Sequence, residues 1–411
     1  MDLQMADSEP SSNGNDPMQD PEEQKVLKAA LDSYESYRKR SHHQVTHVRR
    51  QSFYALPSAH STILSAPPFS VLGSLSAIDD AIDANANIAD AIVQAAKSTF
   101  LPPTFPTPWT GYASASDHSK ARSTIRQFYR DWSAEGATER AACYDPVLSA
   151  LCNEFANTPD ESKSALNVLV PGAGLGRLLL EIVLLGFSAE GNEISYHQLL
   201  ASSWVLNHTK PDAPFTLYPW ALAFSNHVTR ADQLANVSVP DVHPGLALGQ
   251  AIADGKSGKM GFSTGDFCVE YGSEDTKNTY DAVASVFFLD TAPNPIRYVE
   301  AVRNCLKSGG IWINLGPLLW HFENNPPGAF YKSDDDESGS GKFKSGFEGD
   351  RGIGEAGSVE LTNEEVLSLV GQSGFTIEKH EFGALTSGYI QDPKSMLQNI
   401  YKPSFWIARK Q

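Results

Sequence analysis

From residue 160 onward, short apolar runs alternate with stretches whose apolar positions recur at helical spacing. NVLVPGAG leads into LGRLLLEIVLLG, and FSAEGNEIS leads into YHQLLASSWVLNH. MGFSTGDF, YDAVASVFFLD and GGIWINLGP follow, with the helical PNPIRYVEAVRNCLK between the last two. Alternation of this kind predicts an α/β fold, a mostly parallel sheet with helices on both faces. After a further helix, NEEVLSLVGQSG, the stretches GFTIEKHEFG and KPSFWIARK read as closing strands, which brings the sheet to seven. Two regions break the rhythm. Residues 208–260 read as a small cap or crossover between the second and third strands. Residues 326–358 are dominated by Gly, Ser and Asp without a periodic apolar face, and read as a mobile insertion.

Upstream, the polar and acidic residues 1–22 read as a disordered tail. Residues 23–115 read as an N-terminal helical region, and 116–411 as the α/β domain. Val26, Leu27, Leu31, Tyr34 and Tyr37 mark one amphipathic helix over 23–52, ending in the basic stretch HHQVTHVRR, which reads as a solvated face. Two more helices are predicted over 76–98 and 119–133, separated by Pro-rich breaks such as LPPTFPTPW.

Charge narrows the function. The chain of 411 residues carries 49 acidic against 32 basic side chains, a formal charge of −17. That opposes a protein built to hold nucleic acid or an anionic membrane, because both need clustered Lys and Arg. No apolar run approaches the roughly 20 residues of a membrane span. No secretory pattern opens the chain, so a cytoplasmic location is expected, with the nucleus as an alternative. Cys143, Cys152, Cys268 and Cys305 form no CxxC pair and have no ligand-spaced His, so reduced thiols and no metal site are expected.

Candidate chemistry gathers at the carboxyl ends of the predicted strands, where open α/β sheets bind ligands. Val168–Val170 runs into Pro171-Gly172-Ala173-Gly174-Leu175-Gly176-Arg177. A Gly-rich turn between strand and helix brings backbone N–H groups close to a ligand. The dinucleotide fingerprint wants a glycine where Arg177 stands, which opposes a nicotinamide-dependent oxidoreductase. Glu193 follows Gly172 by 21 residues, at the end of the next strand, where a carboxylate can accept both ribose hydroxyls of a nucleoside. Together these suit S-adenosyl-L-methionine. Asp266 could accept from an adenine amino group and Phe267 could stack on the base; the structural alternative for Asp266 is a turn residue. Asp290, past the fourth strand, could hold one N–H of an imidazole while the other ring nitrogen attacks a methyl group. Its structural alternative is a cap for the helix beginning near Pro293.

PGAGLGRL, GNEIS, SSWVLN, YPWALAFSN, GDF, FFLDTAPN and GGIWINLGPLLWHFEN, with STIRQFYRDWSAEGATERAACYDP upstream, together resemble the carnosine N-methyltransferase family. The resemblance implies a class I methyltransferase fold (Rossmann-like) with an extra N-terminal helical region that can form a homodimer. It implies S-adenosylmethionine-dependent methylation of the imidazole of carnosine, β-alanyl-histidine, to give anserine. Cofactor contacts carried over are Gln127, Arg130, Gly172, Glu193, Asp266, Phe267 and, through its backbone, Val286. Arg130 would hold the methionine carboxylate; its structural alternative is a surface ion pair with Asp131. The imidazole-dipeptide site would be Asp290, His321 and Tyr401, acting on a small substrate with no nucleic acid or membrane partner. Two departures stand out: the tyrosine cluster before the last strand is reduced to Tyr401, and a long acidic insertion follows His321. The other readings are a protein-histidine methyltransferase, a nicotinamide-dependent oxidoreductase and a non-catalytic adaptor. S-adenosylmethionine is expected to raise the melting temperature in a concentration-dependent way while NAD leaves it unchanged; a thermal-shift titration with both decides.

Overall fold

The computed structural model describes residues 20–102, 104–256, 258–324 and 357–411. Nearly all of the expected tail at 1–22 and of the expected insertion at 326–358 lies outside the described residues.

Among the described residues nine strands form in chain order: β1 (Asn167–Pro171), β2 (Ser188–Glu193), β3 (Phe215–Leu217), β4 (Val237–Val239), β5 (Met260–Thr264), β6 (Tyr280–Val286), β7 (Leu306–Gly316), β8 (Phe375–Phe382) and β9 (Ser404–Lys410). Seven of them build one sheet in the order β5-β2-β1-β6-β7-β9-β8. β5 through β7 are parallel, and β9 runs antiparallel between β7 and β8. This is the mostly parallel seven-stranded sheet expected from the apolar runs. β1 is central, and Val168, Leu169 and Val170 are buried on both of its faces. The chain winds outward from β1 through β2 to β5, then returns to β6 on the other side of β1. The crevice at this switch point opens over the carboxyl ends of β1 and β6.

The stretch 208–260 forms the short antiparallel ribbon β3–β4 and the helix Pro244–Ala253. The ribbon packs on the long helix Val71–Ala95, where buried Asn85 donates to the Tyr218 carbonyl at 2.9 Å and accepts from the Tyr218 N–H at 2.7 Å. Both halves of its amide are therefore satisfied, as burial requires. The N-terminal helices share an apolar core with the sheet's own layer. Leu27, Leu31, Ile92, Phe128 and Trp132 pack in one cluster with Leu200, Trp204 and Trp220.

Two expectations change. The single helix expected over 23–52 is broken into Pro21–Glu35, Tyr37–Ser41, a π-helical turn His42–His47 and Val48–Tyr54. Its basic end is only partly a solvated face: His43 and His47 are exposed, while His42 and Arg50 are paired. His42 bonds Asp79 through one ring nitrogen and Asp83 through the other, each at 2.9 Å, and Arg50 pairs with Asp79 at 2.5 Å. The acidic side of the Val71–Ala95 helix, distant in sequence, supplies those partners.

A buried ionic knot fixes the layers near the crevice. Asp241, just after β4, accepts from Arg140 at 2.9 Å and from Arg177 at 2.6 Å. Arg140 also donates to the carbonyls of Arg130 and Ser133, and Arg177 to that of Asp131. Among the described residues no helix is long and apolar enough to cross a membrane, and no metal-binding group of His, Cys, Asp or Glu occurs. Removing the acid would leave the buried Arg140 without a counterion and Arg177 with only Glu181, at 2.7 Å. Asp241→Ala is expected to destabilise the fold by about 3–5 kcal/mol, measured by chemical denaturation, with Asp241→Asn falling between it and the parent.

Candidate active site

A cavity of about 570 Å³ opens at the switch point, and all ten predicted site residues line it: Gln127, Arg130, Gly172, Glu193, Asp266, Phe267, Val286, Asp290, His321 and Tyr401. They divide into two ends.

At one end the β1 turn passes through Gly172, Gly174 and Gly176 with φ of 63°, 55° and 77°. This left-handed region favours glycine. Gly172 has a second reason to lack a side chain, since a Cβ there would stand 2.8 Å from the Phe288 ring. Opposite the turn, Glu193 ends β2 and is 6% exposed. Its carboxylate accepts from the N–H groups of Gly174 at 3.0 Å and of Ile194 and Ser195 at 2.9 Å each. Burial pushes this carboxyl up from its ordinary value even though the three N–H groups oppose the shift. Such donors hold both oxygens in place at the mouth of the turn.

The helix Ala115–Trp132 brings Gln127 and Arg130 to the same end. Asp131, 2% exposed, accepts from Arg130 Nε at 2.6 Å and Nη2 at 3.2 Å, and from Gln127 at 3.1 Å. The ion pair expected on the surface is thus real but buried. It takes one edge of the guanidinium, and no described residue accepts from Nη1. Gln127 is fixed further by Gln198, which donates to it at 3.1 Å. Asp266 caps the helix Phe267–Tyr271 by accepting from Cys268 at 2.8 Å, so its role as a turn residue holds while it also faces the cavity. Phe267 is wedged edge-on against Phe288 at 5.1 Å and Tyr298 at 5.4 Å.

The other end begins where β6 stops. Val286 is its last residue, and Phe287 then takes φ of 53°, rare for a bulky side chain. The inversion sends consecutive rings to opposite ends. Phe288 lies under the glycine turn, stacked on Tyr298 at 4.6 Å, while Phe287 meets Tyr389 at 5.3 Å and Tyr401 at 5.9 Å. Asp290 follows, 3% exposed. It is not the cap of the helix Pro295–Cys305, a role taken by Asn294, which accepts from Ile296 at 3.1 Å. Instead Asp290 Oδ2 accepts from the Leu319 N–H at 2.9 Å, and its main-chain carbonyl accepts from the His321 N–H at 3.1 Å. The stretch after β7 is therefore folded down onto Asp290. Desolvation raises the Asp290 carboxyl above its ordinary value, with the Leu319 N–H and the charge of His321 opposing. The His321 side chain is exposed at the rim and makes no hydrogen bond among the described residues, so it is no packed core histidine.

Tyr389 is the residue that sequence reading missed. Its ring lines the cavity beside Tyr401, and the Arg130 guanidinium lies 4.9 Å from the ring centre. A second tyrosine therefore stands at this end of the cavity, where one was expected. It sits in an irregular stretch without periodic signal. Phe287 and Phe288, by contrast, were written beside Asp290 in FFLD.

A family model described as carnosine N-methyltransferase matches residues 108–411. The carnosine N-methyltransferase of Schizosaccharomyces pombe is 36% identical over 395 residues, 95% of this chain and 97% of that protein. The carnosine N-methyltransferase of Rattus norvegicus is 34% identical, over 92% of this chain and 84% of that one. The chain belongs to the carnosine N-methyltransferase family. Among solved structures, a magnesium protoporphyrin IX methyltransferase from Synechocystis PCC 6803 with bound SAH is similar at TM-score 0.36 and 12% identity, over 71% of this chain and 95% of that one.

Family membership makes the chain an S-adenosylmethionine-dependent methyltransferase, and the glycine end fits that cofactor. Gly172 and Gly174 leave no room there for a side chain, a carboxylate is fixed at the turn's mouth, and Arg130 Nη1 is uncommitted among the described residues. Glu193→Ala is expected to weaken S-adenosylmethionine binding about tenfold or more, since a hydrogen bond to a charged group contributes about 1.5–3 kcal/mol. Isothermal titration of the folded variant checks it, and unchanged affinity would remove Glu193 from the cofactor site.

Proposed function

We propose that the chain methylates the histidine imidazole of carnosine, giving anserine. The observation that carries this reading is Asp290. A buried carboxylate has one oxygen committed to the Leu319 N–H and stands between the glycine end and the rim formed by Phe287, Tyr401 and His321. The family supports the same substrate, since relatives in fission yeast and rat bear its name.

Bound S-adenosylmethionine supplies an electrophilic methyl group on a sulfonium centre. Gln127, Arg130, Gly172, Glu193, Asp266, Phe267 and the Val286 backbone hold that cofactor in this reading. The Glu193 carboxylate accepts from hydroxyls, and Arg130 Nη1 donates to a carboxylate. At the acceptor end Asp290 Oδ1 accepts the N–H of the substrate imidazole. This fixes the tautomer, so the lone pair of the other nitrogen faces the donor. As that nitrogen bonds the methyl carbon, the carbon–sulfur bond would break and the ring would gain positive charge; the adjacent carboxylate would stabilise that charge in a site shielded by Phe287 and Tyr401 until the N–H proton passes to solvent. His321 hydrogen-bonds the peptide at the rim. Neutral imidazole already carries a lone pair, so these groups orient the ring and steady its charge rather than create the nucleophile.

Labelled S-adenosylmethionine incubated with carnosine is expected to yield labelled anserine, identified by fragmentation. Label in protein bands with none in the dipeptide would point to a protein histidine instead. Asp290→Asn is expected to lower kcat about 100-fold, in line with loss of orientation, with cofactor affinity retained. The same variant has a stability signature. The raised pKa means that the native state holds the Asp290 proton more tightly than the unfolded chain, so this group favours folding at low pH and loses that benefit as pH rises through the raised value. Asp290→Asn is therefore expected to melt higher than the parent at pH 7, with the gap narrowing as pH falls. Melting curves across pH would refute the assignment if the gap widened.

A further inference from the structure

Residues 383–403, between β8 and β9, carry two of the tyrosines that line the cavity, Tyr389 and Tyr401, yet contain no regular element. Their conformation is held from outside. Ile390 has φ of 50°, a left-handed backbone that a β-branched residue resists, and is 5% exposed. Its N–H and that of Gln391 both donate to one carboxylate, Glu139, at 2.5 and 3.1 Å. Successive N–H groups converging on one anion form a nest. Gly388 closes the other side, where a Cβ would stand 3.3 Å from Glu139 Oε2. Glu139 lies in the first turn of the helix Ala137–Glu154, is half-buried and does not line the cavity.

Tyr389 sits between the two contact points. Two residues before it, Ser387 exchanges backbone hydrogen bonds with Tyr401 at 3.1 and 2.8 Å. One distant carboxylate thus governs the backbone that aims both rings at Phe287. We propose that Glu139 is a positioning residue for the methyl acceptor: held in the Ile390–Gln391 nest, it sets Tyr389, and through Ser387 also Tyr401, at the substrate end of the cavity. This rests on the reading of that end as the imidazole-peptide site. Glu139 touches neither substrate nor cofactor and acts through the strap.

The experiment combines kinetics with amide hydrogen exchange on the full chain. In the parent, the Ile390 and Gln391 amides are expected to be protected. In Glu139→Ala that protection is lost, the KM for carnosine rises about tenfold, and S-adenosylmethionine affinity stays within about twofold of the parent. Glu139→Gln, keeping one acceptor oxygen, falls between. Adding Ile390→Gly to Glu139→Ala recovers part of the lost KM, because glycine takes the left-handed backbone without an anion to hold it. Unprotected amides in the parent, or an unchanged KM in Glu139→Ala, overturn the inference. Equal loss of cofactor affinity with no recovery from Ile390→Gly also overturns it, marking Glu139 as a general support of the fold. A parent that does not methylate carnosine at all would instead refute the substrate assignment, a result separate from the exchange data.

Discussion

The site depends first on a carboxylate that never reaches the cavity. Asp241 comes from the ribbon side of the molecule and binds Arg140 and Arg177, which in turn hold the carbonyls ending the helix that carries Gln127 and Arg130. Buried charges cannot trade partners with water, so the arrangement has one geometry. It locks the RQFYR helix to the helix that starts at Arg177, and so to the glycine turn. Arg177 also lies 5.2 Å from the Trp132 ring, whose indole N–H donates to the Leu175 carbonyl at 3.0 Å. The arginine at the place where dinucleotide-binding turns carry a glycine is thus explained structurally: it does not line the cavity and serves as a tie.

The sheet was legible because its strands are dense apolar runs, and the sites because ligand residues in such sheets stand at strand ends. Gly172, Glu193 and Asp290 could be placed by that rule before any coordinates. What failed was non-local. The basic stretch around His42 looked solvated because its partners, Asp79 and Asp83, lie on another helix about forty residues away. The cap weighed as the structural alternative for Asp290 belongs to Asn294, which a local scan could not separate from a nearby acid of equal capping power. Tyr389 escaped because its orientation is set by Glu139 across some 250 residues of chain, through backbone that has no period to read.

Ion pairs also differ in what they contribute here. Those near solvent, such as Lys277 with Glu274, join exposed partners and add little. Asp131 gathers Arg130 and Gln127 out of water and holds both at one end of the cavity. The same chemistry is decoration in one place and architecture in the other, and burial separates them.

The inverted backbone at Phe287 has a consequence for how this protein can change over time. One residue's dihedral angle sends neighbouring rings to the two ends of the cavity. The glycine end is built from the turns after β1, β2 and β5 and from the helix Ala115–Trp132, whereas the other end draws on the connection after β7 and on the strap before β9. Tyr389, at the tip of that strap, is 44% exposed. Substitutions in the strap can therefore reshape this rim of the cavity while leaving the glycine end, and the core beneath it, unchanged.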